Sequence, residues 1–321
     1  MSSDIVKYSD HNVFAMDTFM TMRAYGDDSE NALKQSEQKI LDLESILSVT
    51  SENSDIRRIN ISHGTPVEVS GETAEIIKEA IRIGNETDGA VDITLYSVLQ
   101  AWGFTGDKYR IPSDNEITDL LNFVDYSKVS VKENTVMIPE GFQMDLGAVA
   151  KGYTSDAVID TLKKNGVKSA VISLGGNVQT LGKKPDGSRW KVAVRNPFSP
   201  ESDMCVLEIG ESAVITSGNY ERYFTGEDGK KYWHILDAND GYPADNGLVS
   251  VTVIGESGLY CDALSTALFV MGKDKAIEFW DRKQDFDMIL VTDNKEIIYT
   301  KSINYSFKNL TDMSVEVIPH D

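Results

Sequence analysis

The stretch Met144-Asp145-Leu146-Gly147-Ala148-Val149-Ala150-Lys151-Gly152-Tyr153 gathers the residue types that a phosphate-bearing ligand needs. A carboxylate, a flexible Leu-Gly-Ala turn and a lysine stand at the head of a helix-forming segment, residues 149–164, with Gly166 as its stop signal. A helix opening near Gly147 would aim free N–H groups and its positive dipole end at an anion, and Lys151 would add a full charge. Asp145 could orient a hydroxyl or base edge, or sit near a cation. The same residues also read as a helix cap and a solvated lysine.

Cys261-Asp262-Ala263-Leu264-Ser265-Thr266 opens another, mostly apolar helix. Asp262 and Thr266 are four apart, so their oxygens share one face, and with backbone carbonyls nearby they suit a hard cation such as Mg2+. The alternative is an N-cap aspartate and a threonine bonded to its own turn. His234, among the strand aromatics of Tyr232-Trp233-His234-Ile235-Leu236-Asp237, is one of four histidines. It reads as a core residue or as a base for a hydroxyl nucleophile. Leu174-Gly175-Gly176-Asn177 follows a buried-type strand, where paired glycines allow backbone to approach a ligand or simply make a tight turn. In Gly89-Ala90-Val91-Asp92-Ile93-Thr94, Asp92 and Thr94 could cap the helix that leads toward Trp102. Neither a Gly-x-Ser-x-Gly elbow nor a Walker loop is present, which argues against a serine hydrolase or a nucleotide triphosphatase.

The chain has 321 residues, enough for one large domain or two intimately packed lobes. Lys and Arg total 31 against 51 Asp and Glu, a net charge of −20. Such a surface repels nucleic acid, so a phosphorylated ligand needs a local positive patch or a metal ion. Cys205 and Cys261 have no metal-type spacing and do not fix a redox compartment. The first residues lack a basic segment followed by an apolar core, so no secretory leader is expected there, and no apolar run is long enough to span a bilayer.

These groups must be carried by helices and antiparallel strands that come in blocks, which predicts an α+β fold. Residues 11–25 read as a first strand, 29–47 as a long helix and 51–55 as a polar turn. A second amphipathic helix covers 70–87, and Ser113-x-x-Glu116 is a capping box for a short helix through Leu121. Short strands are expected at 129–131, 136–138 and 169–173, and a mostly β region from 190 to 253. Helices at 259–270 and 274–280 and strands at 287–291 and 296–299 follow. Residues 301–321 look less regular and are expected to form a mobile tail.

In this order, the segments resemble the ApbE family, the FAD:protein FMN transferases. The matching residues are Met16-Asp17-Thr18, Ser54-Asp55-Ile56-Arg57-Arg58-Ile59-Asn60, Gly89 to Thr94, Asp145 to Tyr153, Leu174 to Asn177, His234 to Asp237 and Asp262 to Thr266. The resemblance spans roughly residues 13–299 and implies a single domain over 13–300, α+β, with two packed lobes, mixed sheets and flanking helices. It implies Mg2+-assisted transfer of FMN from FAD to a threonine hydroxyl of a target protein, with release of AMP. By resemblance, Met16, Ala90, Val91, Asp92, Asp145, Lys151 and Ile235 would contact FAD. Asp262 and Thr266 side chains, with backbone oxygens of Ala148 and Ser265, would hold Mg2+, and His234 would be the catalytic histidine. Where many relatives carry a flavin-covering tyrosine, this chain has Thr50, so FAD hydrolysis to FMN and AMP is an alternative outcome; a non-catalytic FAD-binding protein is another. The family's acceptors are flavin-carrying subunits of membrane electron-transfer complexes. The resemblance further implies an extracytoplasmic, often lipid-anchored protein, against a cytoplasmic alternative; no anchor cysteine appears near the start of this chain.

Overall fold

The computed structural model describes residues 6–106 and 108–319, so His320 lies outside the described residues. The chain opens with a hairpin, β1 (Tyr8–Ala15) and β2 (Thr18–Tyr25), followed by α1 (Ser29–Leu47) and α2 (Asp55–Asn60). Next come β3 (Val67–Glu68), α3 (Gly71–Glu86), α4 (Tyr96–Trp102) and α5 (Asp114–Leu121). β4 (Ser130–Lys132) and β5 (Thr135–Met137) precede α6 (Ala150–Lys164). The β-rich region holds β6 (Ala170–Leu174), β7 (Asn177–Leu181), β8 (Trp190–Asn196), β9 (Ser199–Ile209) and β10 (Ser212–Gly218). It continues with β11 (Tyr223–Thr225), β12 (Lys231–Trp233) and β13 (Leu248–Gly255). The chain finishes with α7 (Gly258–Met271), α8 (Lys273–Lys283), β14 (Asp287–Thr292), β15 (Glu296–Thr300), β16 (Phe307–Asn309) and β17 (Ser314–Ile318).

The fold is α+β, built on a nine-stranded sheet ordered β1-β2-β6-β7-β10-β13-β14-β15-β17. All its neighbours are antiparallel except β15 and β17. Helices α1, α6 and α7 lie on one face, with α3 against α7. A three-stranded sheet, β16-β9-β8, covers part of the other face, so Val192, Leu207 and Ile209 meet Val214, Ile254 and Ile289. Burial follows from this layering. The first seven residues of β13, covered on both faces, are buried without a break, whereas β8 alternates buried and exposed over Trp190–Arg195. Apolar periodicity sets α3 in the same way: Ile76, Ile77, Ala80 and Ile83 face inward, and the Ser70 side chain caps the helix by accepting from Thr73 N–H.

Several sequence expectations change. Residues 11–25 form a hairpin rather than one strand, and its two-residue turn is Met16-Asp17, both left-handed, with φ of 50° and 56°. Neither residue favours that conformation as glycine would, and the Met16 N–H is held by Glu44 Oε1 at 2.6 Å. The polar stretch after α1 runs directly into α2, which the sequence pattern hides because the helix is short. Residues expected to be an irregular tail carry β16, paired with β9, and β17, which adds to β15 at the edge of the main sheet.

One end of the main sheet gathers two of the chemically suggestive segments, the Met16–Asp17 turn and the Gly175–Gly176 turn between β6 and β7, together with the Ser217–Gly218 end of β10. α6 and α7 cross over this end.

Candidate active site

The crossing of α6 and α7 is closer than side chains would allow. A Cβ on Gly152 would lie 2.3 Å from the Gly258 carbonyl oxygen and 2.6 Å from Asp262 Cβ; one on Gly258 would lie 2.6 Å from the Gly152 carbonyl oxygen. Asp156 locks the crossing: its Oδ1 accepts from Gly258 N–H at 2.7 Å, and its Oδ2 accepts from Leu259 N–H and the Ser257 hydroxyl at 3.0 Å each. Ser257 is the N-cap of α7, accepting from Tyr260 N–H. Asp262 is therefore not a cap, as one sequence reading had it, but a buried side chain inside the helix, 5% exposed.

Asp262 Oδ2 accepts from Gly152 N–H at 2.8 Å. In a regular helix that N–H would bond the carbonyl four residues back, which is Ala148. Because it is diverted to Asp262, the Ala148 carbonyl has no donor among the described residues. α6 itself begins at Ala150, one residue into the helix-forming segment 149–164 and three after Gly147, and the Lys151 N–H likewise has no protein acceptor among the described residues. The helix start thus offers an open carbonyl for a cation and an open N–H for an anion, side by side.

Asp145 does not cap α6; its Oδ1 accepts from Gly147 N–H at 3.0 Å in a local turn. Its own N–H bonds Ile93 O at 2.9 Å, which brings the Asp145 segment beside the Asp92 segment. Burial raises the pKa of Asp145, opposed by Gly147 N–H and the charges of Lys151 and Arg222. Burial also raises that of Asp262, opposed by Lys151, Gly152 N–H and Asn177. Lys151 therefore stands between two carboxylates that burial disfavours, rather than facing solvent alone. Asp92 is part-buried, and its two oxygens accept from Thr94 and from Tyr126 N–H instead of capping α4.

Thr266 Oγ1 and Ser265 Oγ meet at Ser217, at 3.3 and 2.8 Å. The Ser265 hydroxyl also donates to the Asp262 carbonyl at 2.9 Å, while the Ser265 carbonyl lies within α7. Among the described residues no three His, Cys, Asp or Glu side chains converge as metal ligands. A cation here would instead be held by one carboxylate, a hydroxyl and carbonyl oxygens. These are hard donors that suit Mg2+, and the open Ala148 carbonyl supplies one of them. The residues fit the ion.

His234 follows β12, in a segment backed by aromatic residues. Trp102 Nε1–H donates to Gly241 O at 2.8 Å, and the Phe104 ring stands edge-on to the imidazole at 6.4 Å. The His234 Nδ1 lies 3.2 Å from the Arg222 carbonyl oxygen, which also accepts the His234 backbone N–H. A carbonyl can only accept, so this contact places the ring proton on Nδ1 and leaves Nε2 with a free lone pair. Burial lowers the pKa to about 4, against the Arg222 carbonyl and with help from Lys151 and Arg222, so the imidazole is neutral at pH 7.

The remaining expected contacts are less tightly tied. Met16 lies in the left-handed hairpin turn, and its Sδ accepts from Thr154 Oγ1 at 3.7 Å. Ala90 is part-buried, and Val91 and Ile235 are buried. Thr50 is exposed in the loop after α1, and its hydrogen bonds go to Ser48. Sequence reasoning missed Asp156, Ser217, Glu44 and the positioning role of Asn60. Asn60 accepts from Met144 N–H at 2.7 Å and donates to Met144 O at 2.8 Å, fixing the residue before Asp145. Its place at the end of the matched segment 54–60 was the available signal.

The family model described as "ApbE family" matches residues 16–290. An FAD:protein FMN transferase of Klebsiella pneumoniae is 36% identical, covering 88% of each chain. One of Haemophilus influenzae is 30% identical over 88% of this chain and 84% of its own. Among solved structures, the ApbE protein of Thermotoga maritima superposes with a TM-score of 0.88 at 32% identity, covering 94% of this chain and all of that one. The apo flavinyl transferase ApbE of Pseudomonas stutzeri has a TM-score of 0.82 at 30% identity, covering 91% and 93%. The chain belongs to the ApbE family.

Proposed function

We propose that this enzyme transfers FMN from FAD to a threonine hydroxyl of an acceptor protein, with Mg2+, releasing AMP. The observation that supports this most is the diverted Gly152 N–H, which leaves the Ala148 carbonyl open beside Lys151 and Asp262. Mg2+ held by Asp262, Thr266 and the carbonyls of Ala148 and Ser265 would neutralise charge on the phosphate oxygens during transfer.

The chain's own residues do the rest. Lys151, with its side chain and open N–H, binds the diphosphate. Met16, Thr50, Ala90, Val91, Asp92, Asp145 and Ile235 line the remainder of the FAD site. His234 Nε2 takes the proton from the threonine hydroxyl as that oxygen attacks the FMN phosphorus and the bond to AMP breaks. FAD's negative charge would offset the pull of Lys151 and Arg222 on His234, raising its basicity in the complex. The exposed Thr50 leaves one side of the site open, so water in place of threonine would yield free FMN and AMP.

The acceptors in this reading are flavin-carrying subunits of membrane electron-transfer complexes, and the protein works outside the cytoplasm. Among the described residues no helix is long and apolar enough to cross a membrane, so attachment would need an anchor beyond them. The test is intact-mass analysis of an acceptor protein after incubation with enzyme, FAD and Mg2+. An FMN adduct on a threonine is expected. Free FMN and AMP without an adduct would make the enzyme a pyrophosphatase, and FAD bound without turnover would make it a carrier.

A further inference from the structure

β7 turns two carboxamides toward the helical layer. Asn177 and Gln179 are two residues apart on one strand, so they share a face, and both are buried. Gln179 Nε2–H donates to Asp156 Oδ1 at 2.9 Å, and Asp156 in turn holds the first N–H groups of α7. One carboxamide of β7 thus orients a carboxylate that fixes where α7 begins.

Asn177 stands in a similar relation to a second carboxylate, Asp262 of α7. It is 3% exposed, and its Nδ2 has no hydrogen-bond partner. Gln179 meets Asp156 on α6, and Gly152, one helical turn earlier on α6, meets Asp262, so Asn177, two residues before Gln179 on β7, is placed beside the Gly152–Asp262 contact, with its Nδ2 short of hydrogen-bond geometry. The backbone under Asn177 is fixed. Gly175 and Gly176 take φ of 62° and 97° in the preceding turn, and a Cβ on Gly175 would meet Thr18 Oγ1 at 2.4 Å. A buried N–H2 without an acceptor is costly, and a modest turn of Asp262 on filling the site would supply one.

We infer that Asn177 is a positioning residue for Asp262: its Nδ2–H donates to the carboxylate when the site takes up its cation. Gly152 N–H holds Oδ2 already, so the two donors together fix the carboxylate plane and direct its remaining lone pairs. This inference rests on the proposed cation site. Partners of this kind, one step removed from the ion, orient the ligand itself, and losing one typically weakens metal affinity about 10- to 100-fold.

The test is Mg2+ titration of the full chain without FAD, by calorimetry, together with the melting temperature in metal-free buffer. Asn177→Leu matches the volume and removes the donor; Asn177→Ala is the second variant should leucine not fold. Mg2+ affinity is expected to fall about 10- to 100-fold. The metal-free melting temperature of Asn177→Leu should stay level or rise, because an unpartnered buried amide has been removed. Gln179→Leu should do the opposite, lowering the melting temperature while Mg2+ affinity changes far less. Wild-type Mg2+ affinity in a folded Asn177 variant would overturn the positioning role and leave the cation site standing. A wild-type chain that binds no Mg2+ would overturn both.

Discussion

Gly152→Ala tests whether the site depends on the close crossing of α6 and α7. The added Cβ would sit 2.3 Å from Gly258 O and 2.6 Å from Asp262 Cβ. Comfortable contact starts near about 3.5 Å, so the helices must separate by roughly 1 Å. Overpacking of this kind costs about 1–3 kcal/mol. The separation also weakens the Gly152 N–H bond to a buried carboxylate, worth about 1.5–3 kcal/mol. Alanine returns about 1 kcal/mol of helix propensity. The balance is a loss of about 1.5–5 kcal/mol, measured by urea denaturation, with Mg2+-dependent transfer falling further than stability alone explains. Gly71→Ala is the control: it lies in the first turn of α3 with nothing within 4 Å of the added Cβ. That variant should be as stable as the parent or slightly more so. A Gly152→Ala protein with parental stability and activity would refute the argument.

Three further outcomes are expected. His234→Gln should abolish transfer while FAD still binds, and the acid limb of parental kcat/KM should lie well below the ordinary histidine value of 6.5, toward 4; a limb at 6.5, or an active variant, would remove His234 as the base. The same lowered pKa has a stability sign. His234 contributes in full above the unfolded value near 6.5, and the contribution is lost as pH falls toward 4, roughly 3 kcal/mol at most, so His234→Gln should flatten stability over that window. Asp55→Asn should cost about 2–4 kcal/mol at pH 7 by chemical denaturation, because the buried carboxylate accepts from Ser70 N–H, Thr73 Oγ1 and Arg58. Burial would raise the Asp55 pKa, but those donors hold it below the usual value, so its contribution is present above the unfolded pKa and lost as pH falls through the folded one.

The sequence was most readable where local signals decide. Ser113 caps α5 as its spacing suggested, α3 starts where its amphipathic pattern does, and the helix and strand order survives almost throughout. It was least readable where distant residues impose the conformation. The Met16–Asp17 turn lacks a turn-forming glycine and is held by Glu44 from the far end of α1. β17 alternates polar and apolar residues over Ser314–Val317, but those residues stay exposed at the sheet edge, and parallel pairing with β15, distant from any local turn signal, is what makes it a strand. At the candidate site, Asp145, Lys151, Asp262, Thr266 and His234 could be picked out by type and order, but the contacts that draw them together could not. The Gly152 N–H is taken by a residue 110 positions away, and only that diversion opens the Ala148 carbonyl. Asp156 escaped notice for a related reason: it caps a helix that begins about a hundred residues later.

The most direct test of this account is a crystal structure of the enzyme with FAD and Mn2+ in place of Mg2+, with the ion located by its anomalous signal. A peak bounded by the Asp262 carboxylate, Thr266 Oγ1 and the Ala148 carbonyl is expected, with the diphosphate against Lys151. A peak elsewhere, or an Ala148 carbonyl bonded to Gly152 N–H with no ion beside it, would contradict the account.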